Sequence, residues 1–185
     1  MIKAAAYLFS TKGYAATTVR EIVASAGVSK PVLYYYFGSK KGIYLELMRG
    51  PFEGFNLLLV DSMRAVGSAS TRLLDLCNRV YALFCDNLEV VRIMHSIYYG
   101  PPQGAPFIDF DVGQAKFLDA VRGLVREGSR NGEFRAVNVD DAMWAIAGAL
   151  NVAVEVRLRS AEDILGRDGL TRILRIILSG IEASV

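Results

Sequence analysis

The stretch from Thr18 to Ser39, TVREIVASAGVSKPVLYYYFGS, allows few backbone courses. Thr18 followed three residues later by Glu21 has the form of a capping box, in which each residue satisfies a backbone N–H of the other. Val19, Ile22, Val23 and Ala26 then recur at helical spacing. Gly27 stands where a helix of about eight residues would close in a left-handed residue, a conformation glycine adopts at little cost. Ser29 suits a new N-cap, and Pro31 suits the first turn, where its missing N–H does no harm. Leu33 and Phe37, four apart, face inward together, Gly38 ends the helix and Ser39 caps the next. Two short helices joined by a glycine turn make a helix-turn-helix, whose second helix enters the major groove of DNA. The same spacing also occurs in unrelated helical bundles, so surface chemistry has to decide.

If Leu33 and Phe37 point inward, Lys30, Val32 and Tyr35 point outward, with Tyr34 and Tyr36 outward or at the rim. Exposed tyrosines suit a DNA-binding helix. A phenol donates to a phosphate oxygen, and its ring packs on a sugar or a thymine methyl. The bland alternative is that some of the three tyrosines pack against neighbouring helices. Charge favours the first reading. Residues 1–50 carry Lys3, Lys12, Arg20, Lys30, Lys40, Lys41 and Arg49 against Glu21 and Glu46, a net +5. With +2 overall, the remaining residues carry −3. A basic end on an acidic body points to a polyanionic partner for the front alone.

The segment TTVREIVASAGVSKPVLYYYFGSKKGIYLELM resembles the DNA-binding segment of the TetR family of bacterial transcriptional regulators. The resemblance rests on Gly13-Tyr14, Thr17-Thr18, Ile22, Ala26-Gly27-Val28-Ser29, Leu33-Tyr34, Phe37, Ser39-Lys40 and Leu45, and covers residues 4–48. It implies that Thr18 contacts phosphate through side chain and backbone N–H. Arg20 reaches a base edge or a phosphate. Ser29, Lys30, Pro31 and Val32 enter the groove, with Lys30 bidentate to guanine and Pro31 or Val32 on a thymine methyl. Tyr34 and Tyr36 grip phosphates, and Lys40 does so from the next helix N-terminus. Tyr36 stands where the family often has histidine and keeps one donor.

The fold expected is all-α, with a three-helix helix-turn-helix domain over 1–48 and a helical ligand-binding and dimerisation domain over 49–185. A first helix spans Ala4 to Lys12 and is closed by Gly13. Gly50-Pro51 should break the helix that begins at Lys40. Further helices are predicted at about 52–66, 71–99 with a kink or break near Asn87-Leu88, 107–130, 140–159 and 168–182. Gly100–Pro106 holds three of the five prolines and reads as the one clear loop. Apolar residues make up 52% of the chain, enough for a real core.

Several function classes find no support. No run approaches the roughly 20 apolar residues of a membrane helix, and Met1–Phe9 lacks signal-peptide character. A cytoplasmic setting follows as the expectation. Cys77 and Cys85 lie eight apart, which is neither a metal spacing nor a disulfide framework. No cofactor, metal or catalytic residue is expected. His95, the single histidine, reads as a core residue or as a polar anchor in a ligand pocket. As an acid or base it has no second polar partner within a turn. A helical carrier without DNA binding would leave the charge split unexplained.

The family's second domain holds a cavity between its middle helices. The resemblance therefore implies an apolar or aromatic small-molecule effector, with Tyr81, His95, Tyr98, Phe110, Trp144 and Asn151 as expected lining. DDAMWAIAGALNVAVEV carries small residues along one helix, and LTRILRIILSGI repeats large apolar ones at three and four. Against their symmetry mates these would form a four-helix homodimer interface. A two-fold dimer also suits a palindromic double-stranded DNA operator. The expected function is a ligand-responsive repressor.

Overall fold

The computed structural model describes residues 1–100, 104–160, 162 and 164–183. Among them the chain is all-α. Its helices are α1 (Ile2–Lys12), α2 (Val19–Ala26), α3 (Lys30–Phe37), α4 (Lys40–Arg64), α5 (Ala69–Asp86), α6 (Leu88–Tyr99), α7 (Phe110–Arg130), α8 (Val139–Arg159) and α9 (Gly166–Ser179). The chain divides into two compact units: Met1–Gly54 with Asn87–Phe110, and Phe55–Asp86 with Asp111–Val185.

In the first unit α1 packs on α2 and α6, and α2 packs on α3. Each helix supplies its inward stripe to one core. Ala5 and Phe9 come from α1, Ile22 and Val23 from α2, Leu33 from α3, Ile43, Tyr44, Leu47 and Met48 from α4, and Val90 and Ile93 from α6. The amphipathic spacing read from the sequence is the spacing that fills this core. The participation of α6, far along the chain from the front helices, is not visible in the local pattern.

Gly42 marks a close approach within this unit. A Cβ there would lie 1.8 Å from the backbone carbonyl oxygen of Phe37. That contact is to backbone, so no side-chain rotation relieves it, and the α3–α4 corner requires glycine.

In the second unit α5, α8 and α9 pack on one another. Leu73, Leu76, Cys77 and Val80 of α5 meet a core that includes Met143, Ile146 and Leu150 of α8 and Leu170 and Leu174 of α9. Asn78 of α5 accepts a hydrogen bond from the Thr171 hydroxyl of α9 at 3.0 Å. Arg72 is buried and pairs with Glu127 of α7 at 2.6 Å, a second donor reaching the Met63 carbonyl at 3.2 Å. Phe134 and Glu182 form an isolated antiparallel bridge, with Arg135 N–H donating to the Ile181 carbonyl at 2.9 Å.

The predicted break at Gly50-Pro51 does not occur. α4 runs unbroken from Lys40 to Arg64 with Pro51 inside it. An internal proline costs about 3 kcal/mol or more. Here Leu47 and Met48 before it and Leu58 and Leu59 after it are all buried. That burial, at about 1.5–3 kcal/mol per side chain, outweighs the lost hydrogen bond. The predicted 52–66 segment is thus the second half of α4. The break at Asn87 is present, separating α5 from α6. The stretch 107–130 becomes helical only at Phe110. Of the proline loop, Pro101–Gln103 lie outside the described residues.

Candidate nucleic-acid interface

The start of α2 is fixed by reciprocal capping. The Thr18 N–H donates to Glu21 Oε2 at 2.8 Å, and the Glu21 N–H donates to Thr18 Oγ1 at 3.3 Å. The Thr18 hydroxyl also donates to the same carboxylate at 2.9 Å. Lys12, in the last turn of α1, forms an ion pair with Glu21 Oε1. The Lys12 hydrogen bond, followed by those from the Thr18 N–H and hydroxyl, pulls the Glu21 carboxyl from 4.5 to about 2. Glu21 therefore stays ionised at the positive end of α2, and Thr18 offers its donors to it.

The turn follows from one residue. Gly27 takes φ 64° and ψ 31°; its N–H donates to the Ala24 carbonyl at 3.3 Å, and the next N–H, of Val28, donates to the Val23 carbonyl at 3.0 Å. Ser29 then opens α3 with extended backbone, its side chain making no capping hydrogen bond, and Pro31 lies in the first turn.

α3 turns Leu33 into the core and everything polar away from it. Leu33 is fully buried and Phe37 partly so. Tyr34, Tyr35 and Tyr36 are 50%, 83% and 67% exposed, so none of the three is a core residue. The rings of Tyr35 and Tyr36 meet edge to face at 5.0 Å. Ser29, Lys30 and Pro31 are exposed, and Val32 is half-buried. At helical spacing Lys30 and Tyr34 share a row, as do Pro31 and Tyr35. Thr18 and Arg20 are exposed at the start of α2. The structure thus places nine of the ten predicted DNA-facing residues, Thr18 to Tyr36, along α2, the turn and α3, with their cations directed to solvent.

Lys40, the tenth, is held differently. It is half-buried, and its Nζ donates to the Tyr14 carbonyl at 2.8 Å and the Thr17 carbonyl at 2.9 Å. The same nitrogen sits 4.2 Å from the centroid of the Tyr14 ring. Nothing in the sequence spacing signals this arrangement, which spans 26 positions. The Lys12–Glu21 pair is equally hidden.

The residues expected to line an effector pocket lie in both units. In the first, Tyr98 and Phe110 meet at 5.9 Å between ring centroids, and Phe52, not foreseen, joins Phe110 at 5.4 Å. His95 is exposed, with its ring 4.6 Å from that of Tyr99, and so is no core histidine. In the second, Tyr81 is buried in α5, while Trp144 is 58% exposed and Asn151 is exposed on α8. The Cys77 thiol is buried and pushed up to about 12 by desolvation, which makes it unreactive. Among the described residues, no group of three or more His, Cys, Asp or Glu could hold a metal, and no helix is long and apolar enough to cross a membrane.

Capped helix, glycine turn and a second helix with an outward polar face define a helix-turn-helix of the DNA-binding kind. Residues 1–47 match the family model for bacterial regulatory proteins of the tetR family. A 53-residue stretch is 42% identical to the negative transcriptional regulator IcaR of the icaADBC biofilm operon in Staphylococcus aureus, covering 29% of this chain and 28% of that protein. Matches to such curated relatives span 35% or less of their length. Over 98% of both chains, the fold is similar to the TetR-family regulator PfmR of Thermus thermophilus, with TM-score 0.75 and 25% identity. It is also similar to FadR of Bacillus subtilis, solved with stearoyl-CoA, at TM-score 0.69 and 20% identity over 98% of this chain and 97% of that one. The family match thus covers residues 1–47, and beyond them the likeness is one of fold.

Proposed function

We propose that the protein is a ligand-responsive, dimeric DNA-binding transcriptional regulator that represses from a palindromic operator and is released by a small apolar or aromatic molecule. The observation that carries the reading is the exposure of Tyr34, Tyr35 and Tyr36 beside Lys30 on α3. Phenol hydroxyls and an ammonium suit phosphates and base edges, and a surface of this kind has no use for solvent alone. Lys30 reads guanine, Pro31 and Val32 meet methyl groups, and Arg20, Tyr34 and Tyr36 contact the backbone, while Thr18, whose N–H and hydroxyl both donate to Glu21, sets the start of α2. Residues 1–48 carry this role, and residues 49–185 carry effector binding and dimerisation, in the cytoplasm and without catalysis.

Four observations support the rest. IcaR is named a negative regulator, and FadR was solved with stearoyl-CoA. On α8 and α9, Trp144, Val152 and Ile176 are 58%, 58% and 72% exposed, which suits a partner helix surface. Small residues Ala145 and Gly148 on α8 suit close helix approach. Tyr98 and Phe110 are the first positions to probe for effector contact.

The test is selection of duplexes from a random-sequence pool by the purified protein, read by sequencing at two salt concentrations. Recovery of a short palindrome, weakened by salt and lost with Lys30→Ala, is the expected result. Recovery of no enriched sequence by wild-type protein overturns the reading.

A further inference from the structure

We propose that Lys40 is a positioning residue: its ammonium group clamps the α1–α2 connection onto the start of α4 and so sets where the N-terminus of α2 stands. Only the functional consequence rests on the DNA-binding reading. The clamp itself rests on geometry inside the first unit.

An ammonium has three N–H donors. Two of Lys40 go to the carbonyls of Tyr14 and Thr17, at 2.8 and 2.9 Å. The ring face of Tyr14, 4.2 Å from the nitrogen, takes the remaining side as a cation–π contact. No donor direction is left for a phosphate while these contacts stand. The carbonyls belong to the connection that leads into Thr18, the N-cap of α2. Thr17 is fully buried, and its hydroxyl donates to the Gly13 carbonyl at 2.8 Å and the Leu8 carbonyl at 3.2 Å. Its N–H reaches the Tyr14 carbonyl at 3.3 Å.

The connection is therefore a small knot, and Lys40 is what fastens it to α4. Tyr44, one turn further along α4, holds the same target from a second side. Its ring meets that of Tyr14 edge to face at 5.1 Å and that of Phe9 at 5.4 Å. Two residues of one helix thus hold Tyr14, one through charge and one through an aromatic edge. Charged donors to carbonyls make the stronger class of hydrogen bond, so the lysine is the principal jaw.

The test compares wild-type protein with Lys40→Met, which keeps most of the stem and loses the donors. Each is read by amide hydrogen exchange in the absence of DNA and by affinity for one duplex enriched from a random pool on the wild-type protein, across a salt series. The expected result is exchange about tenfold faster or more at Gly13–Ile22 with α6 amides unchanged. Duplex affinity should fall about tenfold or more at every salt, with the slope of log K against log salt kept. A slope shallower by about 0.9 with unchanged exchange would make Lys40 a phosphate contact and overturn the proposal. Faster exchange spread over α6 as well, with duplex affinity of the folded protein unchanged, would reduce Lys40 to general fold support and overturn it too. If no duplex is enriched, the DNA reading fails while the exchange measurement still decides the clamp. If Lys40→Met does not fold, Lys40→Gln, which drops the cation and its ring contact, carries the same comparison.

Discussion

The outer face of α3 and the outer faces of α8 and α9 both leave large rings and side chains in solvent, but in different chemical company. On α3 the exposed residues are three tyrosines with Lys30 and Ser29. On α8 and α9 they are Trp144, Val152 and Ile176, near small Ala145 and Gly148. Every large exposed ring on α3 ends in a hydroxyl; those on α8 and α9 offer area and one indole. A hydroxyl-tipped, lysine-bearing face suits a polyanion, whereas a bare apolar one suits another apolar face. The contrast separates two kinds of exposed hydrophobe that hydropathy alone treats as one.

Four changes would break or sharpen that contrast. Leu33→Ala acts on the inner side of α3 and should destabilise the first unit by about 2–5 kcal/mol, read as a lower urea midpoint. Lys30→Ala with Tyr34→Ala acts on its outer side and should weaken duplex binding by about 2–4 kcal/mol. Sedimentation and the urea midpoint should stay as in wild type; loss of stability instead would place these residues in the core.

Trp144→Asp belongs to the other face and should weaken self-association by about 1.5–3 kcal/mol, read by sedimentation equilibrium. An unchanged association constant would remove α8 from the interface.

The smallest effect concerns Glu21, which touches neither face. Its folded carboxyl is depressed from 4.5 to about 2 by Lys12 and Thr18. A depressed acid contributes stability above its unfolded value that is lost as pH falls through its folded value. Acid should therefore loosen the start of α2 between about pH 4.5 and 2, and Glu21→Gln should remove that step. Thermal melts across this range check the sign.

The helix-turn-helix is legible because its signals are local. Thr18 and Glu21 are three apart, Gly27 needs its own φ, and Leu33 and Phe37 repeat within one turn. What escapes is non-local or a matter of competing terms. Lys40 reaches carbonyls 23 and 26 positions away, and no periodicity encodes a pair formed by chain reversal. α6 joins the first unit's core through Val90 and Ile93, a tertiary choice. Pro51 reads as a stop because local propensity says so, and burial on both sides overrides it. His95 is legible only as an alternative between core and pocket, and its exposure removes the core reading.

Pro51 also gives α4 a mechanical property. With no N–H at position 51, the carbonyl of Leu47 loses its partner in the helical ladder. A helix resists bending through that ladder, so its stiffness is uneven along its length, lowest at the missing rung. α4 behaves less like a rigid rod than like two stiff beams spliced at a compliant joint. Load applied at Arg64 would be partly absorbed at the splice before it reached Lys40. Replacing Pro51 by alanine would make the beam uniform and pass more of any displacement from one end to the other.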